Sequence, residues 1–250
     1  MTKIERYRQM LIGLVNWEPF LLAESGLPGP RGNIELAQAV ADLGSEAQFE
    51  HFLTFTADVA PVNSPYEFLA FCGVVGLGRL AAEGRLDTIP RLREYACDRR
   101  WRMREGVAMA LQRFGDANMP LLLDEMEKWI DGNPLRMRAA AAAIAEPRLL
   151  MERENAQRAL NIMDLITRQV LNIHDRRSSE FRILRQGLAY TWSVVVAALP
   201  EVGIPILERW LDHDDPDVAW IMRENLKKKR LARLISENGE DGKSRQIIDL

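Results

Sequence analysis

The chain has 250 residues, 47% hydrophobic and 28% charged, with 33 basic and 36 acidic residues for a net charge of −3. That length supplies one large domain or two small ones with enough buried surface for a core. The composition excludes a disordered, collagen-like or disulfide-built chain, and the charge balance is not that of a basic nucleic-acid-binding domain.

Two cysteines, Cys72 and Cys97, are too few for a disulfide framework and read as buried thiols in a reducing compartment. The early charges Lys3, Glu5 and Arg6 fit no signal peptide. The apolar runs at 10–15 and 193–199 are far short of the ~20 residues that span a bilayer. The expectation is a cytoplasmic protein with no membrane partner.

Taken in order, the apolar spacing predicts helices over 3–14, 18–24, 33–43, 46–58, 65–83, 88–96, 101–114, 120–130, 134–145, 154–171, 179–199, 205–211 and 217–236, and no strand. Asn33 is placed to cap the third helix. Ser45 with Gln48, and Ser64 with Glu67, form Ser-x-x-Gln/Glu capping boxes, the second with Pro65 at the first helical position. Asp215-Pro216 opens the last helix. Five alanines, Ala139 to Ala143, favour helix and let neighbouring helices approach closely.

The second half repeats. Trp101-Arg102-Met103-Arg104-Glu105 recurs as Trp220-Ile221-Met222-Arg223-Glu224, and Leu135–Ala139 and Leu184–Leu188 fit the same register. The marker arginines Arg104, Arg138, Arg185 and Arg223 lie 34, 47 and 38 residues apart, each after a turn containing Asp, Gly or Ser. The unit is a helix, a tight turn and a second helix. The expected role of each arginine is to bond the carbonyls or the Asp of that turn. One such pair cannot bury its apolar faces alone, so it stacks on the next.

The segment from Asp98 through Trp101, Met103-Arg104, Val107-Ala108 and Ala110-Leu111 to Gly115-Asp116 resembles a HEAT-type repeat of the short bacterial kind. The resemblance covers about residues 87–236. It implies an all-α, right-handed superhelix of stacked helix pairs, an armadillo-like α-solenoid. The expected organisation is an N-terminal helical section at 1–86, HEAT-like repeats at 87–236 and a flexible C-terminal tail at 237–250.

The resemblance is silent on activity; the expected function is a non-enzymatic scaffold that binds a macromolecule, a protein above all, through the concave face and without a cofactor. Two basic segments, 91–104 and 217–233, each carry six basic and two acidic residues and read as solvated faces or as a binding stripe. The candidate binding residues are Arg31, in the Gly/Pro loop at 25–33, then Arg99, Arg100, Trp101, Arg102, Trp220, Lys227, Lys228 and Lys229. The run Lys227 to Arg230 lies within the last predicted helix. The alternative is nucleic-acid binding or a HEAT-like DNA alkylation repair glycosylase, because Trp101-x-x-Arg104 is similar to the backbone-binding signature of those enzymes. Their catalytic Trp-Asp pair is missing, and Met163-Asp164 is the nearest approach. No catalytic residue and no metal ligand is assigned; the acidic stretch around His213 suits a helix N-terminus by its charge alone.

Overall fold

The structure is a computed structural model that describes residues 1–238; the expected tail lies, from residue 239 on, outside them. The fold is all-α. Among the described residues there are 14 α-helices, one 3-10 turn and no strand. The chain divides into two compact units, 1–118 and 119–250.

The first unit holds α1 (Lys3–Ile12), α2 (Glu18–Glu24), α3 (Ile34–Leu43), α4 (Glu46–Leu53), α5 (Pro65–Ala82), α6 (Thr88–Tyr95) and α7 (Trp101–Ala117). The caps explain the starts. Ser45 and Gln48 close the predicted capping box, and the Asn33 side chain accepts from the Leu36 amide. Ser64 caps α5, but Glu67 does not reach back to complete a box. Its carboxylate accepts instead from the Asn63 amide at 2.7 Å and from Arg102 at 3.0 Å.

The helices α1, α3, α5 and α7 form one parallel layer. Lys3 pairs with Glu35 and Arg8 with Asp42, so α1 and α3 ascend together. Phe68 lies by Gly32 and Arg79 donates to the Gly44 carbonyl, which sets α5 beside α3 in the same sense. Glu67 meets Arg102, Phe71 meets Gly106 and Gly78 meets Ala110, which does the same for α7. By contrast α4 runs back along α5, with Leu53 on Gly73 and Phe49 on Gly76. α5 is apolar nearly all round, the mark of a fully enclosed helix. Phe68, Leu69, Val74, Val75 and Leu77 on it are buried, each contributing about 1.5–3 kcal/mol of transfer free energy.

The second unit holds α8 (Met119–Lys128), α9 (Pro134–Ile144), the 3-10 turn (Pro147–Leu150), α10 (Arg153–Leu171), α11 (Ser179–Ala198), α12 (Pro200–Leu211), α13 (Pro216–Leu226) and α14 (Lys229–Asn238). Here α9, α11 and α13 pack side by side. Arg185 pairs with Asp217, and further along Asn225 bonds Leu188 and Ser193, so α11 and α13 ascend together. Arg153 to Glu201 and Asp164 to Arg209 do the same for α10 and α12.

Several polar bonds between elements share a spacing. In the first unit, Lys3–Glu35, Glu67–Arg102 and Asp58–Arg99 span 32, 35 and 41 residues. In the second, Arg158–Asp124, Ser193–Asn225 and Arg176–Asp215 span 34, 32 and 39. Arg113 reaches Gln38 and Asp42 at 75 and 71, about two periods. The pattern runs through residues 1–86, where the sequence alone shows no repeat.

Three expectations need correction. The last predicted helix, 217–236, is two helices broken at Lys227 and Lys228. The side chain of Asn225, at the end of α13, turns inward to Leu188, Ile221 and Ser193. The lysine run thus spans a break and does not wind around one helix. α12 starts at Pro200 and carries Pro205 inside it. α4 ends at Leu53, which leaves 54–64 as a connecting loop. Cys72 is buried as expected and Cys97 only half-buried.

Candidate functional site

Each turn before α7, α9, α11 and α13 is built the same way. The Asp98 carboxylate accepts from the Arg100 amide at 2.7 Å, Asp131 from Asn133 at 3.1 Å and Asp175 from Arg177 at 3.1 Å. Ahead of α13 the acceptor is His213, whose Nδ1 takes the Asp215 amide at 3.0 Å. An acceptor two residues before the amide it takes closes an Asx-type turn, and a neutral imidazole nitrogen can serve in place of a carboxylate. Among the described residues no group of three or more His, Cys, Asp and Glu side chains is arranged to hold a metal ion.

The marker arginines serve these turns unequally. Arg104 donates to the Asp98 and Arg99 carbonyls at 2.6 and 3.3 Å. Arg185 pairs with Asp217 at 2.8 Å and lies 3.7 Å above the Trp220 ring. Arg138 packs against Gly187, and Arg223 is exposed.

Arg99 to Arg102 form the densest polar cluster. Arg99 pairs with Asp58. Arg100, 2% exposed, grips Asp98 and donates to the Phe55 and Ala60 carbonyls at 2.9 and 3.2 Å. Arg102, 5% exposed, bonds Glu67 at 3.0 Å, Asn63 at 3.2 Å and the Gly29 carbonyl at 2.5 Å. Its guanidinium lies 4.4 Å from the Trp101 ring centre. The Asn63 carbonyl oxygen also accepts from the Gly29 amide at 3.0 Å, and Asn63 adopts a positive φ of 70°. Four segments are thus tied together: the 25–33 loop, the 54–64 loop and the first turns of α5 and α7.

The Gly/Pro loop is a packed elbow. Ser25, fully buried, bonds the Leu22 carbonyl and the Leu27 amide. A Cβ on Gly29 would sit 2.4 Å from the Gly26 carbonyl oxygen. Arg31 is exposed and faces Glu35 at 3.5 Å.

The predicted binding residues divide between the units. Arg31, Arg99, Arg100, Trp101 and Arg102 belong to the first. Arg100 and Arg102 are buried and bonded to protein groups, a correction to their reading as surface ligands. Trp220 and Lys227 to Lys229 belong to the second. Trp220 is half-buried against Arg185. Lys227 pairs with Glu224, Lys228 lies 5.9 Å from the Tyr190 ring and Lys229 is exposed.

Asp164 accepts from Arg168 at 3.0 Å, from Arg209 and from the Trp210 indole at 2.7 Å. Glu50 is held below the ordinary glutamate range by hydrogen bonds from Arg91, against the opposing effect of burial. Burial alone raises the Cys72 thiol well above the ordinary thiol range.

The sequence reading missed three residues. Val59, Val62 and Tyr66 are 62%, 50% and 47% exposed, and Trp101 is 43% exposed. Tyr66 stacks on Phe55 at 5.7 Å. The available signal was the stretch Val59-Ala-Pro-Val62-Asn-Ser-Pro-Tyr66, a connecting loop running into the start of α5, that carries large apolar side chains where a solvated turn would be polar.

No protein-family model matches the chain, and no curated protein does. Among solved structures it is similar to an engineered protein determined as a target of the Northeast Structural Genomics Consortium. The identity is 14% over 93% of this chain and 98% of the other, with a TM-score of 0.36, a likeness too low to bear on fold or function. Among the described residues no helix is long and apolar enough to cross a membrane.

Proposed function

We propose that the chain is a HEAT-like, non-enzymatic scaffold of the cytoplasm whose stacked helices bind a protein partner. The repeated turn and the set of ties that span 32–41 residues support the HEAT-like reading. One observation carries the functional part. Five of the six arginines that make 91–104 basic face protein groups: Arg91 faces Glu50, Arg99 faces Asp58, Arg100 faces Asp98, Arg102 faces Glu67, and Arg104 faces two carbonyls. On the neighbouring 54–64 loop and the first turns of α5 and α7, Val59, Val62, Tyr66 and Trp101 are exposed beside the exposed Arg99–Asp58 pair. Phosphate recognition needs displayed cations, and each of these arginines would have to leave an existing partner. A glycosylase needs a carboxylate open to the base, and Asp164 is enclosed by Arg168, Arg209 and Trp210.

Two arms test the reading. A photo-crosslinking amino acid at Val62 is expected to capture a defined protein in cells. A fluorescent DNA duplex, plain or alkylated, is expected to bind weakly and to stay uncleaved. Duplex affinity falling on the order of 10³-fold between about 50 and 200 mM salt, with no protein captured, would overturn the scaffold in favour of nucleic acid.

A further inference from the structure

We infer that Tyr190, Lys228 and Arg230 form a docking site for an acidic segment of the protein partner, one that presents several Asp or Glu carboxylates close together. The inference rests on the scaffold reading and adds the chemistry of what is bound.

The first argument is placement, and all of it lies within the second unit. α14 packs on α11 as well as on α13. Across that contact Arg230 donates to the Tyr190 hydroxyl at 2.8 Å. Its guanidinium lies 5.1 Å from the Tyr190 ring centre, and the Lys228 ammonium lies 5.9 Å from the same point. One side chain of α11 therefore gathers two cations from the corner between α13 and α14 into a single place. Tyr190 is 48% exposed, so that place is open to solvent.

The second argument is the charge left over. Segment 217–233 holds six basic and two acidic residues. Asp217 is taken by Arg176 and Arg185, from outside the segment. Glu224 pairs with Lys227, whose hydrogen bond holds its carboxyl below the ordinary glutamate range, with Lys228 adding to the effect. Among the described residues, Arg223, Lys228, Lys229 and Arg230 form no ion pair with a carboxylate. Segment 91–104 is the reverse case, since its arginines mostly face protein groups. Lys229 and Arg230 also open α14, whose first turn holds no acidic residue. The free amides of a helix start already carry partial positive charge, so these cations add to a field of their own sign. The complementary ligand is an anion.

The third argument is the donor set. Arg230 spends one N–H on Tyr190 and keeps the rest of its planar fork. The Tyr190 hydroxyl accepts that bond, and among the described residues its own proton goes to no acceptor. A guanidinium, an ammonium and a phenolic O–H in one place match carboxylate oxygens, which only accept. With two cations over its ring, Tyr190 offers its hydroxyl and not the free face on which a nucleic-acid base would stack. A single exposed ion pair contributes little, so the ligand that fits is a run of carboxylates and not one acid.

The test uses the full chain and a fluorescein-labelled ten-glutamate peptide, with a ten-glutamine peptide as control, read by fluorescence anisotropy at about 20 and about 150 mM salt. The expected result is binding of the glutamate peptide alone, weaker at the higher salt. Lys228→Gln/Arg230→Gln should weaken it about tenfold, and Lys128→Gln/Arg153→Gln, which removes the same charge elsewhere on the second unit, less than about twofold. Tyr190→Phe, which keeps the ring and removes only the hydroxyl, should weaken it severalfold at unchanged melting temperature. An equal loss in the two double variants overturns the inference. So does absence of binding, and the crosslinker at Val62 then separates the two readings. A captured protein leaves the scaffold standing without the acidic specificity, and no captured protein removes both. A DNA duplex bound more tightly than the peptide at the same salt, and lost with Lys228→Gln/Arg230→Gln, would replace the acidic segment with nucleic acid.

Discussion

A charged side chain leaves water at a cost of several kcal/mol, recovered only when its partners are well placed. Arg102 meets that condition with Glu67, Asn63 and the Gly29 carbonyl. Replacing it with leucine strands the fully buried Glu67 carboxylate. Arg102→Leu is expected to lose about 3–5 kcal/mol in urea unfolding, and Glu67→Leu/Arg102→Leu less than the single change. A loss under about 1 kcal/mol for Arg102→Leu would mean that the tie contributes little. A second prediction at this scale concerns pH. Glu50 has an ordinary value of 4.5, lowered in the folded chain by the Arg91 hydrogen bonds. The unfolded chain then binds the proton more readily, so this contribution is full above about pH 4.5 and is lost as pH falls through the folded value. Glu50→Gln is expected to flatten the acid limb of the stability profile in that window and leave the neutral limb's shape unchanged. An identical acid limb in both proteins would contradict the pairing.

Among the helices, close approach depends on Gly73, Gly76, Gly78 and Gly203, where a Cβ would lie under 3.0 Å from a neighbour. A Cβ at Gly78 on α5 would lie 2.3 Å from the Ala110 Cα, backbone that cannot swing aside. Gly78→Ala gains up to about 1 kcal/mol of helix propensity but forces α5 and α7 apart at a cost of about 1–3 kcal/mol. The net expectation is a lowered melting temperature. At Gly13, after α1, the backbone is right-handed and the nearest atom is 3.6 Å away. Gly13→Ala is therefore expected to raise the melting temperature slightly. The opposite order in differential scanning calorimetry would contradict the packing. Much at this scale was legible, because caps are local: Ser45 with Gln48, Asn33 and Asp215 act where their spacing put them. What was not legible depended on partners distant in the chain. The break after α13 comes just after Asn225, whose side chain bonds Leu188 and Ser193 on α11. Glu67 left its capping box for an arginine 35 residues on.

Over the whole chain, the arginines of 91–104 read as a basic surface because composition counts charges without their partners. The partners were one period upstream all along: Glu50 for Arg91, Asp58 for Arg99 and Glu67 for Arg102. The repeat in the second half had already given that period, but it was not applied to residues 1–86, whose helices share the spacing without sharing the sequence pattern. The exposed apolar residues Val59, Val62 and Tyr66 were marked by no motif. A repeated helix pair with ties at one period accounts for these observations together. Methyl-resolved nuclear Overhauser spectroscopy of the intact protein tests this directly. The account predicts contacts between α1 and α3, α5 and α7, and α11 and α13 that ascend in parallel at separations of about one helix-pair repeat. Long-range contacts dominated by antiparallel pairs around a single centre, with none at that separation, would contradict it.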